Sequence, residues 1–115
     1  MIHWTLPGPP EPPFIASVFN YYLSADLDGY REYDERTLEL VKEVPGYLGY
    51  ESFRQGDRGT FISYWKDREA VKAWAEHPVH IEAKKRGRAS WYRYYHSIIA
   101  EVSSFHTRGT VSDPV

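Results

Sequence analysis

Tyr47-Leu48-Gly49-Tyr50-Glu51-Ser52-Phe53-Arg54, then Gly56-Asp57-Arg58-Gly59, then Thr60-Phe61-Ile62-Ser63-Tyr64-Trp65, is the stretch that decides the fold. Two runs rich in aromatic and β-branched residues flank a cluster of turn formers, with glycines where a positive φ is wanted. The pattern predicts a β-hairpin with strands over 47–54 and 60–65. Upstream, Pro45-Gly46 stops an amphipathic helix. Its apolar face carries Leu27, Tyr30, Asp34, Leu38, Val41 and Val44 at three-to-four spacing, and Ser24 or Asp26 stands ready to cap it. Before that helix, residues 14–23 have strand length and strand composition. Downstream, Asp67 caps a helix that turns Ala70, Val71 and Trp74 to one side. His77-Pro78 starts another, with proline at its favoured first position. Lys84, Lys85 and Arg86 complement the dipole of its last turn, and Gly87 ends it. Residues 91–105 form a final strand, long against the usual five or six residues.

The order is β-α-β-β-α-β. It predicts an α+β, ferredoxin-like domain: an antiparallel sheet with the helices on one face. The domain spans residues 14–106. Residues 1–13 read as a proline-rich arm with five prolines between positions 7 and 13, extended and polyproline-like. It is either a tail or a strap on a partner subunit anchored by Trp4. Residues 107–115, with Gly109, Asp113 and Pro114, read as a loose C-terminal tail.

Composition narrows the function. The 115 residues carry a net charge of −2, which argues against a nucleic-acid partner held by bulk positive charge. There is no cysteine, so a disulfide framework, a cysteine-based zinc site and a thiol nucleophile are all excluded. No apolar run is long enough to span a membrane and no signal peptide is visible, so a cytoplasmic protein without a membrane partner is expected. Aromatic residues make up 17% of the chain: 4 Trp, 10 Tyr and 5 Phe. A domain this small buries a limited core. The surplus points to a cavity, a subunit interface, or both. The sheet face away from the helices needs cover, and a second copy of the same sheet supplies it. Two facing sheets make an α/β barrel across a homodimer.

Pro45-Gly46-Tyr47-Leu48-Gly49-Tyr50-Glu51-Ser52 resembles the P-G-[FY]-x-G-x-E-S segment of antibiotic biosynthesis monooxygenase (ABM) domains. Ser63-Tyr64-Trp65, Ala73-Trp74, His77-Pro78, His80, Gly87-Arg88, Trp91-Tyr92 and Tyr95 are similar to the same family in order and spacing. The resemblance runs from residue 14 to about 105. It implies a dimeric α+β barrel with a pocket in each subunit between sheet and helices. The chemistry it implies is broader: cofactor-free oxygenation of aromatic polyketides, quinol oxidation, or haem degradation.

Trp65 ends the third predicted strand, where the cofactor-free oxygenases place a pocket Trp; it also suits a core joint between sheet and helix. The place of that subgroup's Asn holds Phe61, and the place of its helical Tyr holds Val71. Trp74 matches a Trp that contacts the macrocycle in haem-degrading relatives, but the place of their axial His is Lys84. A protonated lysine is a poor iron ligand. Asn20 is one residue away from the haem group's first-strand Asn, and one residue turns a strand side chain to the other face. His77 and His80 are three apart and can share a helix face. His77 is either a cap before Pro78 or a pocket group. His80 is either a hydrogen-bonded structural histidine or the base or anchor of the site. In the last strand, alternation puts Tyr92, Tyr94 and His96 on one face and Arg93 and Tyr95 on the other.

The expected function is therefore a small-molecule monooxygenase without a built-in cofactor, acting on an aromatic or quinol-type substrate. His80 is the candidate catalytic residue. Trp65, Trp74, Asn20, Tyr22 and His77 are the candidate substrate-binding residues. No metal site is expected. The alternatives are a non-catalytic binding protein for an apolar ligand and a haem-degrading monooxygenase.

Overall fold

The computed structural model describes residues 1–5 and 8–111. Pro7 and the Asp113-Pro114 end of the tail lie outside the described residues. The chain runs β1 (Ile2–Trp4), β2 (Phe14–Leu23), α1 (Tyr30–Val41), β3 (Tyr47–Gln55), β4 (Arg58–Trp65), α2 (Arg68–Ala75), α3 (Pro78–Arg86) and β5 (Tyr92–Val102), with a π-helical turn, Gly87–Trp91, between α3 and β5. All strand pairs are antiparallel, in the order β1-β3-β4-β2-β5. The four long strands give the ferredoxin-like α+β arrangement, with the helices on one face.

That face holds the main core. Ile15, Val41, Tyr47, Trp65, Ala70 and Trp74 pack together there. Trp65 is only 1% exposed. Removing an aromatic of this size from water takes away about 200 Å² of surface, worth about 5 kcal/mol before entropic costs. The predicted caps are in place: Asp67 Oδ1 accepts from the Ala70 N–H at 2.9 Å, and His77 Nδ1 from the Val79 N–H at 3.2 Å.

The structure departs from the sequence reading in four places. Residues 2–4 are an edge strand of the sheet, with Ile2 opposite Glu51 and Trp4 opposite Gly49. Trp4 packs on Tyr64 and Phe105 of its own chain, at ring separations of 5.0 and 5.9 Å. The strand closes so tightly that a Cβ at Gly49 would lie 2.3 Å from the His3 carbonyl oxygen. Helix α1 begins at Tyr30, behind Gly29 in a left-handed conformation, and neither Ser24 nor Asp26 caps it. The Ser24 hydroxyl donates instead to the Ser90 carbonyl, and the Trp91 indole N–H donates to the Asp28 carbonyl at 2.8 Å. These bonds commit the segment before α1 to the far end of the domain.

Gly87 does not end the helix. Its backbone is helical, and the chain continues through the π-turn. The glycine is needed because a Cβ there would meet the Tyr92 ring at 2.6 Å. The strand that follows is shorter than expected and carries an extra residue: Leu23 pairs with Tyr92, but Tyr22 pairs with Tyr94. Arg93 is therefore bulged, and simple alternation fails. Tyr92 and Tyr95 share the inner face, while Tyr94 and His96 point outward.

The outer face has a small cluster of its own, Phe14, Ala16 and Tyr64, covered at one end by Trp4 and Phe105. The rest is open: Phe53 is 70% exposed, Tyr94 51% and Ile98 48%. Among the described residues no helix is long and apolar enough to cross a membrane.

Candidate active site

Alternation along β2 and β4, and along β5 beyond its bulge, turns Ser17, Phe19, Ser63, Trp65, Tyr95 and Ser97 toward the helices. They floor a cavity of about 350 Å³. The three helices and the π-turn roof it, through Leu38 and Val41 of α1, Val71 and Trp74 of α2, His80 and Lys84 of α3, and Arg88 and Trp91 beyond. A volume of this size suits one ligand of a few fused rings.

Trp65 is fixed on the floor by donating its indole N–H to Ser63 Oγ at 2.8 Å. Tyr47, its partner across the β3–β4 pair, packs on it at 5.4 Å. The Tyr47 hydroxyl is buried without a hydrogen-bond partner, and burial pushes its pKa up, so it stays protonated.

His80 lies against Trp74, with ring centroids 5.0 Å apart. Among the described residues its Nδ1 is, with Tyr47 Oη, a buried side-chain polar atom without a hydrogen-bond partner. Burial, and after it the charge of Lys84, lower the His80 pKa from 6.5 to about 4, against a weaker opposing pull from the Ala75 backbone. The imidazole is neutral at pH 7. Two orphaned polar atoms, Tyr47 Oη and His80 Nδ1, thus belong to the residues around one aromatic-walled cavity, where buried polar groups are normally paired.

At the other end the hydroxyl of Tyr30 interacts with those of Tyr21 and Tyr92, and burial raises the pKa of both Tyr30 and Tyr92. Asp34 stands at the mouth on α1. Burial of its inner side raises its carboxyl pKa, and the positive charge of Arg54 opposes that.

The structure thus gathers Trp65, Trp74 and His80 around one space. Three other sequence candidates lie elsewhere. His77 is 5.2 Å from the Trp74 ring but is held by its capping bond and does not line the cavity. Asn20 and Tyr22 alternate with Phe19 and Tyr21 and so face outward. Asn20 Oδ1 accepts from the Thr60 hydroxyl at 2.7 Å, and its Nδ2 lies 3.2 Å from His96 Nε2. Tyr22 lies beneath the Arg93 guanidinium, 4.4 Å from ring to charge. Tyr47 and Arg88 are among the cavity-lining residues that the sequence reading did not single out. Tyr47 was accessible from the hairpin register, which sets it beside Trp65. Arg88 was not, because its direction depends on the π-turn.

A profile of the family described as antibiotic biosynthesis monooxygenase matches residues 21–86. The chain belongs to the antibiotic biosynthesis monooxygenase family. YqjZ, an uncharacterized protein of Bacillus subtilis strain 168, is 42% identical over 94 residues, covering 81% of this chain and 82% of its own. Among solved structures, SnoaB, a cofactor-independent oxygenase from Streptomyces nogalater, superposes with a TM-score of 0.64 at 16% identity, over 84% of this chain and 97% of its own. Rv0793 from Mycobacterium tuberculosis superposes at 0.71 and 11% identity, over 84% of this chain and all of its own. At these identities the likeness carries the fold.

The resemblance to haem-degrading family members can be tested on the residues. Trp74 lines the cavity, but the next matching place is Lys84, whose ammonium has no lone pair for iron at neutral pH. Asn20 is on the wrong face of the sheet. The set does not fit a haem.

Proposed function

We propose that this ABM-family protein is a small-molecule monooxygenase that acts on an electron-rich aromatic or quinol-type substrate without a built-in cofactor. The observation that carries the reading is the aromatic-walled cavity with His80 Nδ1 unpartnered beside Trp74. Without a cofactor, the electrons that reduce oxygen come from the substrate. In an anthrone-type substrate a ring CH₂ becomes C=O, one atom of O₂ staying as the carbonyl oxygen and the other leaving as water with the two hydrogens. In a hydroquinone a ring C–H becomes C–OH while the ring is oxidised to the quinone, and the second oxygen atom again leaves as water. The protein's part is to position the substrate, exclude bulk water and hold developing negative charge. Trp65 and Trp74 sandwich the rings. His80, neutral at pH 7, offers a nitrogen to a substrate hydroxyl, and Tyr47 a donor to a substrate oxygen.

A homodimer accompanies this reading. The open outer face, with Phe53, Tyr94 and Ile98 exposed, is more apolar than a free sheet surface favours, and a second copy of the same face covers it.

Two observations favour non-catalytic binding of an apolar ligand as a second reading. A histidine with a pKa near 4 is a weak base, and the polar Asn and Tyr places of the cofactor-free oxygenases hold Phe61 and Val71. Oxygen-electrode assays with anthrone and hydroquinone substrates, on protein stripped with chelator, separate the two. Oxygen uptake that is lost in His80→Ala supports the oxygenase. Ligand binding without oxygen uptake in the wild type supports the second reading.

A further inference from the structure

Lys84 and Arg88 both line the cavity, one from the last turn of α3 and one from the π-turn behind it. Neither has a carboxylate. The ion pairs among the described residues are Arg31–Glu35 and Arg93–Asp57, and neither includes Lys84 or Arg88. The nearest candidate counter-charge on the cavity wall, Asp34, is influenced by Arg54 and Glu35 rather than by these two cations. Lys84, by contrast, is close enough to His80 to disfavour its protonation.

The π-turn makes this arrangement. A helix that ended at Gly87 would release the chain before Arg88. The π-turn carries the helical path on through Arg88 and delivers Trp91 into the domain, where its indole N–H donates to the Asp28 carbonyl. Single π-turns of this kind recur at functional sites. Two cations with no ion pair among the described residues thus line an aromatic-walled space on which Asp34 is the one carboxylate, and low-dielectric walls focus their field.

We propose that the cavity takes an aromatic ligand that is already an anion at neutral pH, a flat ring system bearing an ionised phenol, enol or carboxylate, with the oxyanion held between Lys84 and Arg88. This rests on the cavity's being the ligand site, as in the oxygenase reading, and narrows what enters it. The weak basicity of His80 agrees: a ligand that arrives ionised needs no strong base, and the histidine is left to hold a second polar group of the ring.

The test uses the full chain and two probes of equal shape, 2-naphthoate and its neutral isostere 2-naphthamide, titrated by calorimetry at low ionic strength. The expected result is about tenfold tighter binding of naphthoate, narrowing as salt is raised to about 0.15 M. In the double variant Lys84→Gln, Arg88→Gln the preference disappears while naphthamide binds as before, which also reports that the variant is folded. Equal affinities in the wild type, a preference that survives in the double variant, or no binding of either probe would overturn the proposal. The two readings fail separately. If a neutral hydroquinone drives oxygen uptake and naphthoate gains nothing over naphthamide, the anion proposal falls and the oxygenase stands. If naphthoate is preferred and no substrate consumes oxygen, the anion site stands and the oxygenase falls.

Discussion

The imidazole of His80 lies on the indole of Trp74 with centroids 5.0 Å apart and planes inclined by 31°, and its Nδ1 has no partner. Burial, and after it the charge of Lys84, makes His80 a pH-dependent element of stability. Its folded-state pKa is about 4 against 6.5 for the free side chain. Above 6.5 the residue is neutral in both states and adds no slope. As pH falls from 6.5 toward 4, the unfolded chain takes up a proton that the folded chain refuses, so stability declines. Below about 4 both states are protonated and the decline stops, having cost at most about 3 kcal/mol. Urea unfolding at pH 7 and pH 4.5 should therefore show a smaller acid loss in His80→Gln than in the wild type. Equal losses would mean that His80 titrates normally.

Tyr47 makes a different forecast. Its buried hydroxyl is unpaired in the ligand-free protein, a desolvation cost of about 1 kcal/mol or more. Tyr47→Phe should raise the melting temperature of the free protein by a few degrees. The same variant should bind oxygenated aromatic ligands more weakly. A lower melting temperature would reveal a partner for the hydroxyl in the free state.

Ser63→Ala runs the opposite way. It leaves the Trp65 indole N–H, now bonded to Ser63 Oγ at 2.8 Å, with no acceptor in the core. A loss of about 1–3 kcal/mol is expected by chemical denaturation, together with a shift in tryptophan emission. A neutral substitution would mean that a water or the ligand space takes over the bond.

The exposed apolar outer face gives an assembly test. Ile98→Asp combined with Phe53→Asp places charges where a second sheet would pack. In sedimentation experiments the wild type should weigh twice the 13.5 kDa of one chain, and the variant should fall to one. A wild-type monomer would remove the dimer from the proposed function.

The fold was legible because its cues are local. The turn formers between aromatic strands, the Asp67 cap and His77-Pro78 each act within a few residues; the caps stand where expected, and the hairpin closes tighter than expected, over Gly56-Asp57, with Gly59 inside β4. Trp65, Trp74 and His80 were legible for the same reason: their element and phase fix their direction. Asn20 and Tyr22, expected beside the substrate, face away from the cavity, as two-residue alternation from Phe19 sets them. Arg88 and the pairing of Tyr92 with Tyr95 were hidden, because both depend on an added residue, one in the π-turn and one in β5. Nothing in a periodic pattern announces where it skips. The edge strand Ile2–Trp4 was hidden differently: the prolines behind it dominate the composition, whereas its cause, the bare Gly49 backbone opposite, is some 45 residues away.

The bulge at Arg93 also bears on how this chain tolerates insertions and deletions. Tyr92 already faces inward on one side of the extra residue and Tyr95 on the other. A chain lacking Arg93 would run Tyr92, Tyr94, Tyr95 in regular alternation and present the same two faces. Length changes between positions 92 and 94 are therefore silent for the cavity. Between 95 and 99, one residue more or less would exchange Ser97 and Ile99 for His96 and Ile98 along the wall. Homologues should vary in length at the first place and hold it constant at the second.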